Sequence, residues 1–188
     1  DKMPTGKGDN NPVEKNTMSV SLNELITALS AAFDLAGSSD RKHSLRTAYI
    51  ATRLASIMST AEAEVDNIYY AALLHDLIPP QSYFDQNLIF EILTNLPLKV
   101  KVADQVAELW QYKRGNGSVD RSDCLSFAAR TIYLAECFEN LYCNEELEEY
   151  RLREMLSSWN SSVVAMVDSN IGVALGKCLQ EEAFWQDL

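Results

Sequence analysis

The amino-acid sequence predicts an all-α bundle of about seven or eight helices. Apolar residues recur at helical spacing in one segment after another from Ser19 onward. No stretch alternates apolar and polar residues for long enough to make a strand. Breakers at Gly37, Pro79-Pro80 and Gly115-Asn116-Gly117 cut the pattern into pieces of helix length.

Residues 1–18 are polar, with Pro4, Gly6, Gly8 and Pro12, and read as a disordered segment. Their opening Asp1-Lys2-Met3 is in keeping with the residue of a cleaved tag ahead of Met3. Residues 19–188 read as one helical domain. Leu22, Leu25, Ile26, Leu29 and Phe33 make the first apolar stripe, and Ser21 with Glu24 three residues on makes a capping box. A second helix, from about Arg41 to Ser59, carries Thr47, Ile50, Ala51, Leu54, Ala55 and Met58 on one face. A third starts at Thr60–Glu64 and runs through Val65, Ile68 and Ala72 into His75, where Pro79-Pro80 forbids continuation. Further helices are expected near Phe84–Thr94, Lys99–Tyr112, Ser122–Tyr142, Glu145–Ser158 and Val163–Leu179, the charged Glu145–Glu154 stretch as a solvated face.

Composition narrows the classes of function. Apolar content of 47% and three tryptophans suit a packed core in a chain of 188 residues. A net charge of −11 excludes a nucleic-acid backbone or an anionic membrane as the expected partner. The four cysteines, Cys124, Cys137, Cys143 and Cys178, show no C-x-x-C spacing, and read as reduced thiols of a cytoplasmic protein. No apolar run approaches the roughly 20 residues that span a bilayer.

The chain has two histidines, and both fall on core-facing positions. His43 extends the apolar face of the second helix by a turn, and His75 with Asp76 closes the third. On the helix expected over Ser122–Tyr142, the stripe Leu125, Ala128, Ala129 and Ile132 reaches Glu136 four residues later. A carboxylate on such a stripe needs a cation, a donor or a proton. Two imidazoles and two carboxylates make a donor set for one divalent ion such as Mn, Fe, Ni, Zn or Mg. Equally, Glu136 pairs with Arg46, Arg53 or Arg130 and the histidines are satisfied locally.

Residues 22–77 resemble the first half of an HD-GYP domain, the branch of the HD superfamily associated with cyclic di-GMP. Lys42-His43-Ser44-Leu45-Arg46-Thr47-Ala48 is similar to its G-H-S-x-R-V-A segment, and Ala71-Ala72-Leu73-Leu74-His75-Asp76-Leu77 to its A-A-L-L-H-D-I. Leu134-Ala135-Glu136-Cys137-Phe138-Glu139-Asn140-Leu141 is similar to V-A-D-x-F-D-A-L, and Glu182–Leu188 to the way such domains close. The resemblance implies an HD-domain-like bundle in which His43, His75, Asp76 and Glu136 stand at metal-ligand positions. The departures are as informative. Ile78-Pro79-Pro80 follows the His-Asp pair where the family has G-K and a further histidine. The H-H-E-x-x-D-G-x-G-Y-P signature falls on Leu109–Val119 with only its turn glycines kept.

These losses imply a degenerate HD-GYP-like domain, non-catalytic or weakly catalytic, that acts in bacterial signal transduction by binding a ligand or protein partner or by homodimerising. Two alternatives stay open. One is a one-metal phosphohydrolase acting on a nucleotide or phosphodiester, with water on the ion as nucleophile and Asp76 as the residue then involved in catalysis. The other is a purely structural interaction module with a fossil His-Asp pair. Arg46, Lys113 and Arg114 are the candidate contacts for a phosphate, beside Arg41 and Lys42. Trp110 and Tyr112 are expected to fill the core.

Overall fold

The computed structural model describes residues 19–36, 42–77, 86–115, 125–144 and 168–188. Among them are eight helices and no strand: α1 (Leu22–Ala36), α2 (His43–Ile57), α3 (Glu62–Leu73), α4 (Gln86–Asn95), α5 (Val100–Arg114), α6 (Phe127–Asn144), α7 (Ser169–Cys178) and α8 (Glu182–Asp187). The all-α reading therefore holds. The expected segment 1–18, the helix over Glu145–Ser158, the start of the helix at Val163, and Gly37, Pro79 and Pro80 lie outside the described residues.

Helix α2 is the hub, packed against α1, α3, α6 and α7, while α3 also meets α5 and α6. Its apolar face explains this position: Ala48, Ile50, Ala51, Leu54 and Ala55 are all fully buried. Three alanines on that face let the neighbouring helices approach closely, and Leu54 and Ile50 fill what remains. On α1 the stripe is narrower than its spacing suggests. Ile26 is buried, and Leu22, Leu29 and Phe33 pack partly, but Leu25 turns to the surface at 46% exposure.

Local chemistry sets the helix ends. The capping box forms at α1, where the Ser21 amide donates to the Glu24 carboxylate (2.8 Å) and the Glu24 amide to Ser21 Oγ (3.2 Å). Helix α2 ends with Thr60 N donating to Ala55 O and Ser59 N to Ser56 O, with Ser59 at φ 57°. This is a Schellman-type stop with serine in the left-handed position that glycine more often takes. Helix α6 starts at Phe127, later than Ser122, because Ser126 Oγ accepts from the Ala129 amide and caps it there. Asp168 caps α7 in the same way through Asn170 N (2.9 Å).

The C-terminal helix closes the bundle through aromatic packing. Phe184 is fully buried, stacked on Tyr49 of α2 at 5.6 Å and beside Phe138 of α6 at 6.3 Å. Tyr49 donates its hydroxyl to the Phe184 carbonyl (3.3 Å), and Trp185 Nε1 donates to Leu179 O (3.1 Å). Six residues could not hold a helix alone; the buried ring supplies roughly 2–3 kcal/mol toward keeping it in place.

A contact between α1 and α2 fixes the start of the hub helix. Lys42 offers no side-chain cap there. Instead the buried Asp34 carboxylate of α1 accepts from Ser44 N (3.1 Å) and Ser44 Oγ (2.5 Å), satisfying an N–H of the first turn from across the helix pair. That turn carries His43. Asp34→Ala is expected to lower stability by about 1–2 kcal/mol, measured by urea unfolding; a change within error would show that the cap does not hold this turn.

Candidate metal centre

Three pieces of backbone meet at the site. The first turn of α2 brings His43, the turn after α3 brings His75 and Asp76, and the middle of α6 brings Glu136. Helix α3 stops at Leu73, two residues before His75, so the expected continuous helix is replaced there by a tight turn. Leu74 N and His75 N both reach back three residues, and the His75 ring takes the Ala72 carbonyl with Nδ1 at 2.7 Å. The imidazole thus claims a carbonyl at the helix end and turns its other nitrogen inward.

One donor atom from each of His43, His75, Asp76 and Glu136 falls within 4.8 Å of the others. The Nε2 atoms of His43 and His75 are 3.2 Å apart, and Asp76 Oδ2 lies 3.4 Å from each. Glu136 Oε1 is 3.8 Å from His75 Nε2. Both histidines are buried, whereas the Asp76 side chain is one-third exposed and forms the open side.

Tautomers follow from the partners. A carbonyl only accepts, so His75 Nδ1 carries its hydrogen toward Ala72. His43 Nδ1 meets the buried carboxylate of Glu139, so it too donates. Each neutral imidazole then turns an Nε2 lone pair toward the same point. Two lone pairs 3.2 Å apart repel unless a proton or a cation lies between them.

In the ion-free protein a proton does this. Burial alone would depress His43, but hydrogen bonds and charge from Asp76 and Glu139 outweigh it and push its pKa up from 6.5 to about 10. His75 goes the other way: burial, helped by the Lys113 ammonium, lowers it. His43 is therefore the imidazolium and His75 the acceptor. Burial acts to raise Asp76, yet the imidazoles and Lys113 beside it hold it well below the usual carboxylate range.

The residues fit one divalent ion. Two imidazole nitrogens with fixed tautomers and two carboxylates are a donor set of the right chemistry. Glu136 also carries a buried oxygen, Oε2, with no hydrogen-bond partner among the described residues, so its carboxylate has capacity left for a cation.

Of the described basic residues singled out in the sequence, Lys113 alone stands at the centre; Arg41 lies outside the described residues. Its ammonium, on the last turn of α5, donates to Asp76 Oδ1 (2.9 Å) and Glu136 Oε1 (2.6 Å). Burial would lower Lys113, but Glu136 and Asp76 outweigh it and raise its pKa, which keeps the charge. Arg46 instead lies behind His43, donating to Glu139 Oε1 through Nε (2.8 Å) and a terminal nitrogen (2.5 Å). Arg114 lies over the Trp110 ring at 4.9 Å, and Trp110 and Tyr112 are buried in the core as expected. The arginine pairing considered for Glu136 is not what forms: Arg46 takes Glu139, Arg53 takes Glu181, and Arg130 takes Asp168. Cys137 and Cys178 are free thiols.

Glu139 is the residue that reasoning from sequence missed. It sits three positions after Glu136 on the same helix face, so the stripe that identifies one carboxylate identifies both.

A family model described as HD domain matches residues 41–140, which span His43, His75, Asp76, Lys113, Glu136 and Glu139. No curated protein and no solved structure matches the chain.

Because the folded-state pKa of His43 lies above 6.5, its stabilising contribution is complete below pH 6.5 and is lost as pH rises through about 10. With chelator present, the imidazole NMR titration of His43 should fall near 10. Glu139→Gln, which removes a carboxylate charge from Nδ1, should lower it; an unchanged titration would mean that Glu139 does not set the protonation of His43.

Proposed function

The chain belongs to the HD-domain family, a phosphohydrolase-type superfamily whose members typically bind divalent metals, and from that premise we propose that it is a one-metal phosphohydrolase acting on a phosphodiester, such as a nucleotide. The observation that carries this reading is the pair of inward Nε2 atoms with both tautomers fixed from behind. His43, His75, Asp76 and Glu136 would hold the ion. When bound, a divalent ion supplies Lewis-acid charge at a phosphoryl oxygen and lowers the pKa of water at the site.

The chain's own groups supply the rest. Glu139 and Arg46 hold the His43 ring in one orientation and one tautomer. Lys113 fixes the carboxylates of Asp76 and Glu136 by one oxygen each, and among the described residues its third N–H has no partner. That N–H is the donor for a phosphoryl oxygen arriving over Asp76, the most open of the four donors. Among the described groups, three carboxylates here meet two permanent cations, an excess of one negative charge. With a divalent ion the balance becomes one positive charge, which the single negative charge of a phosphodiester neutralises.

A second reading is favoured by the same lysine. Because Lys113 already neutralises oxygens of both carboxylates, the domain can also be a degenerate HD-GYP-like signalling module that binds a cyclic dinucleotide such as cyclic di-GMP, or a protein partner, without turnover.

Protein purified without chelator is expected to carry about one divalent ion, by elemental analysis, and His75→Ala or Asp76→Ala to carry none. Turnover of a generic phosphodiester by the loaded protein, lost in His75→Ala, supports hydrolysis; a loaded but inert protein supports the signalling reading. An ion-free wild type that stays ion-free after soaking in Mn, Fe or Ni excludes the hydrolase reading and leaves the non-catalytic one. Uptake at pH 8 should also release about one proton, the one shared by the two imidazoles. Calorimetry in buffers of different ionisation enthalpy reads this directly, and zero release would contradict the protonation assigned to His43.

A further inference from the structure

We propose that Lys113 is a built-in cation that limits the centre to a single metal ion, by occupying the place between Asp76 and Glu136 where a second ion would sit. The inference rests on the metal-binding reading of the four donors. Its own ground is the position of the ammonium. Nζ lies 2.9 Å from Asp76 Oδ1 and 2.6 Å from Glu136 Oε1, so it spans two carboxylates of the candidate ligand set. Asp76 divides its oxygens cleanly: Oδ2 faces the two imidazoles and Oδ1 faces Lys113. Glu136 differs: its Oε1 lies between Lys113 (2.6 Å) and His75 Nε2 (3.8 Å), and its buried Oε2 has no hydrogen-bond partner among the described residues. A carboxylate with one oxygen in each of two cation positions is how a pair of ions would be bridged, and here one position holds an ammonium.

Two features make the ammonium hard to displace. The Lys113 side chain is 11% exposed, so it is held inside the site with little freedom to swing into solvent. Charge then acts in the same direction. With Lys113 and Arg46 in place, one divalent ion already leaves the site positive, and a second would add two charges against no remaining carboxylate charge. A lysine is also a fixed cation: it needs no supply from solution and cannot be chelated away.

The test is metal stoichiometry, read by Mn²⁺ titration with electron paramagnetic resonance on the full chain. Wild type and Lys113→Arg, which keeps a cation, should each take one ion with the spectrum of isolated Mn²⁺. Lys113→Glu exchanges the ammonium for a ligand oxygen and should take two, with the broadened spectrum of a spin-coupled pair. Should Lys113→Glu fail to fold by far-UV circular dichroism, Lys113→Met empties the same place without adding a charge, and it too should take two. One ion in the folded variant, with one in wild type, overturns the inference and leaves the metal-binding reading standing. Two ions in wild type overturn it as well. No ion in wild type overturns the metal-binding reading itself, and this inference falls with it.

Discussion

The carboxylate of Glu139, buried inside the bundle, is the group on which the site depends. A charge removed from water is tolerated only when paired and hydrogen-bonded, and Glu139 is both: one oxygen receives His43 Nδ1 and the other receives the Arg46 guanidinium. Since α2 supplies both partners and α6 supplies the acid, the ion pair also fixes the rotation of one helix against the other. The His43 ring cannot turn over without giving up a charged partner. The His43 imidazole is therefore arranged from behind, by groups on its far side from Asp76.

That rear support explains why two imidazoles face one another across 3.2 Å. The Ala72 carbonyl holds one ring and Glu139 the other, and neither partner can accept a different tautomer. The arrangement is strongly unfavourable for two neutral rings and favourable for two rings sharing a proton or an ion. The site thus has two compensated states and no satisfactory empty one.

Much of this was legible in the sequence, for a definite physical reason. The residues that line a helix face recur at fixed spacing, so an acid or imidazole on an apolar stripe announces itself as buried, and His43, His75 and Glu136 are all found that way. Asp76 follows from its neighbour. The partners across helices were not legible, because stripe spacing gives the face a side chain occupies and says nothing of which residue on another helix it meets. Three arginines were plausible for Glu136, and each found a different acid. Lys113 was the hardest to place: a lysine in the last turn of a helix ordinarily satisfies the helix dipole at the surface. Only the packing of α5 beside α3 and α6 turns it inward.

The placement of Lys113 also changes what the missing motifs mean. Against the HD-GYP pattern that the sequence resembles, the absence of a lysine after the His-Asp pair and of the later histidines suggests a site short of cations. In three dimensions two other helices bring cations to the site. An ammonium from α5 stands against the same aspartate, and a guanidinium from α2 stands behind the histidine. The negative charge that the described acids bring to the site is thereby held to a single unit, which one proton balances and one divalent ion turns into a single positive charge. Degeneracy of a motif and degeneracy of a site are different properties here. The first is a matter of which residues are kept in order, the second of whether the charges and lone pairs at one point in space still add up, and at this point they do.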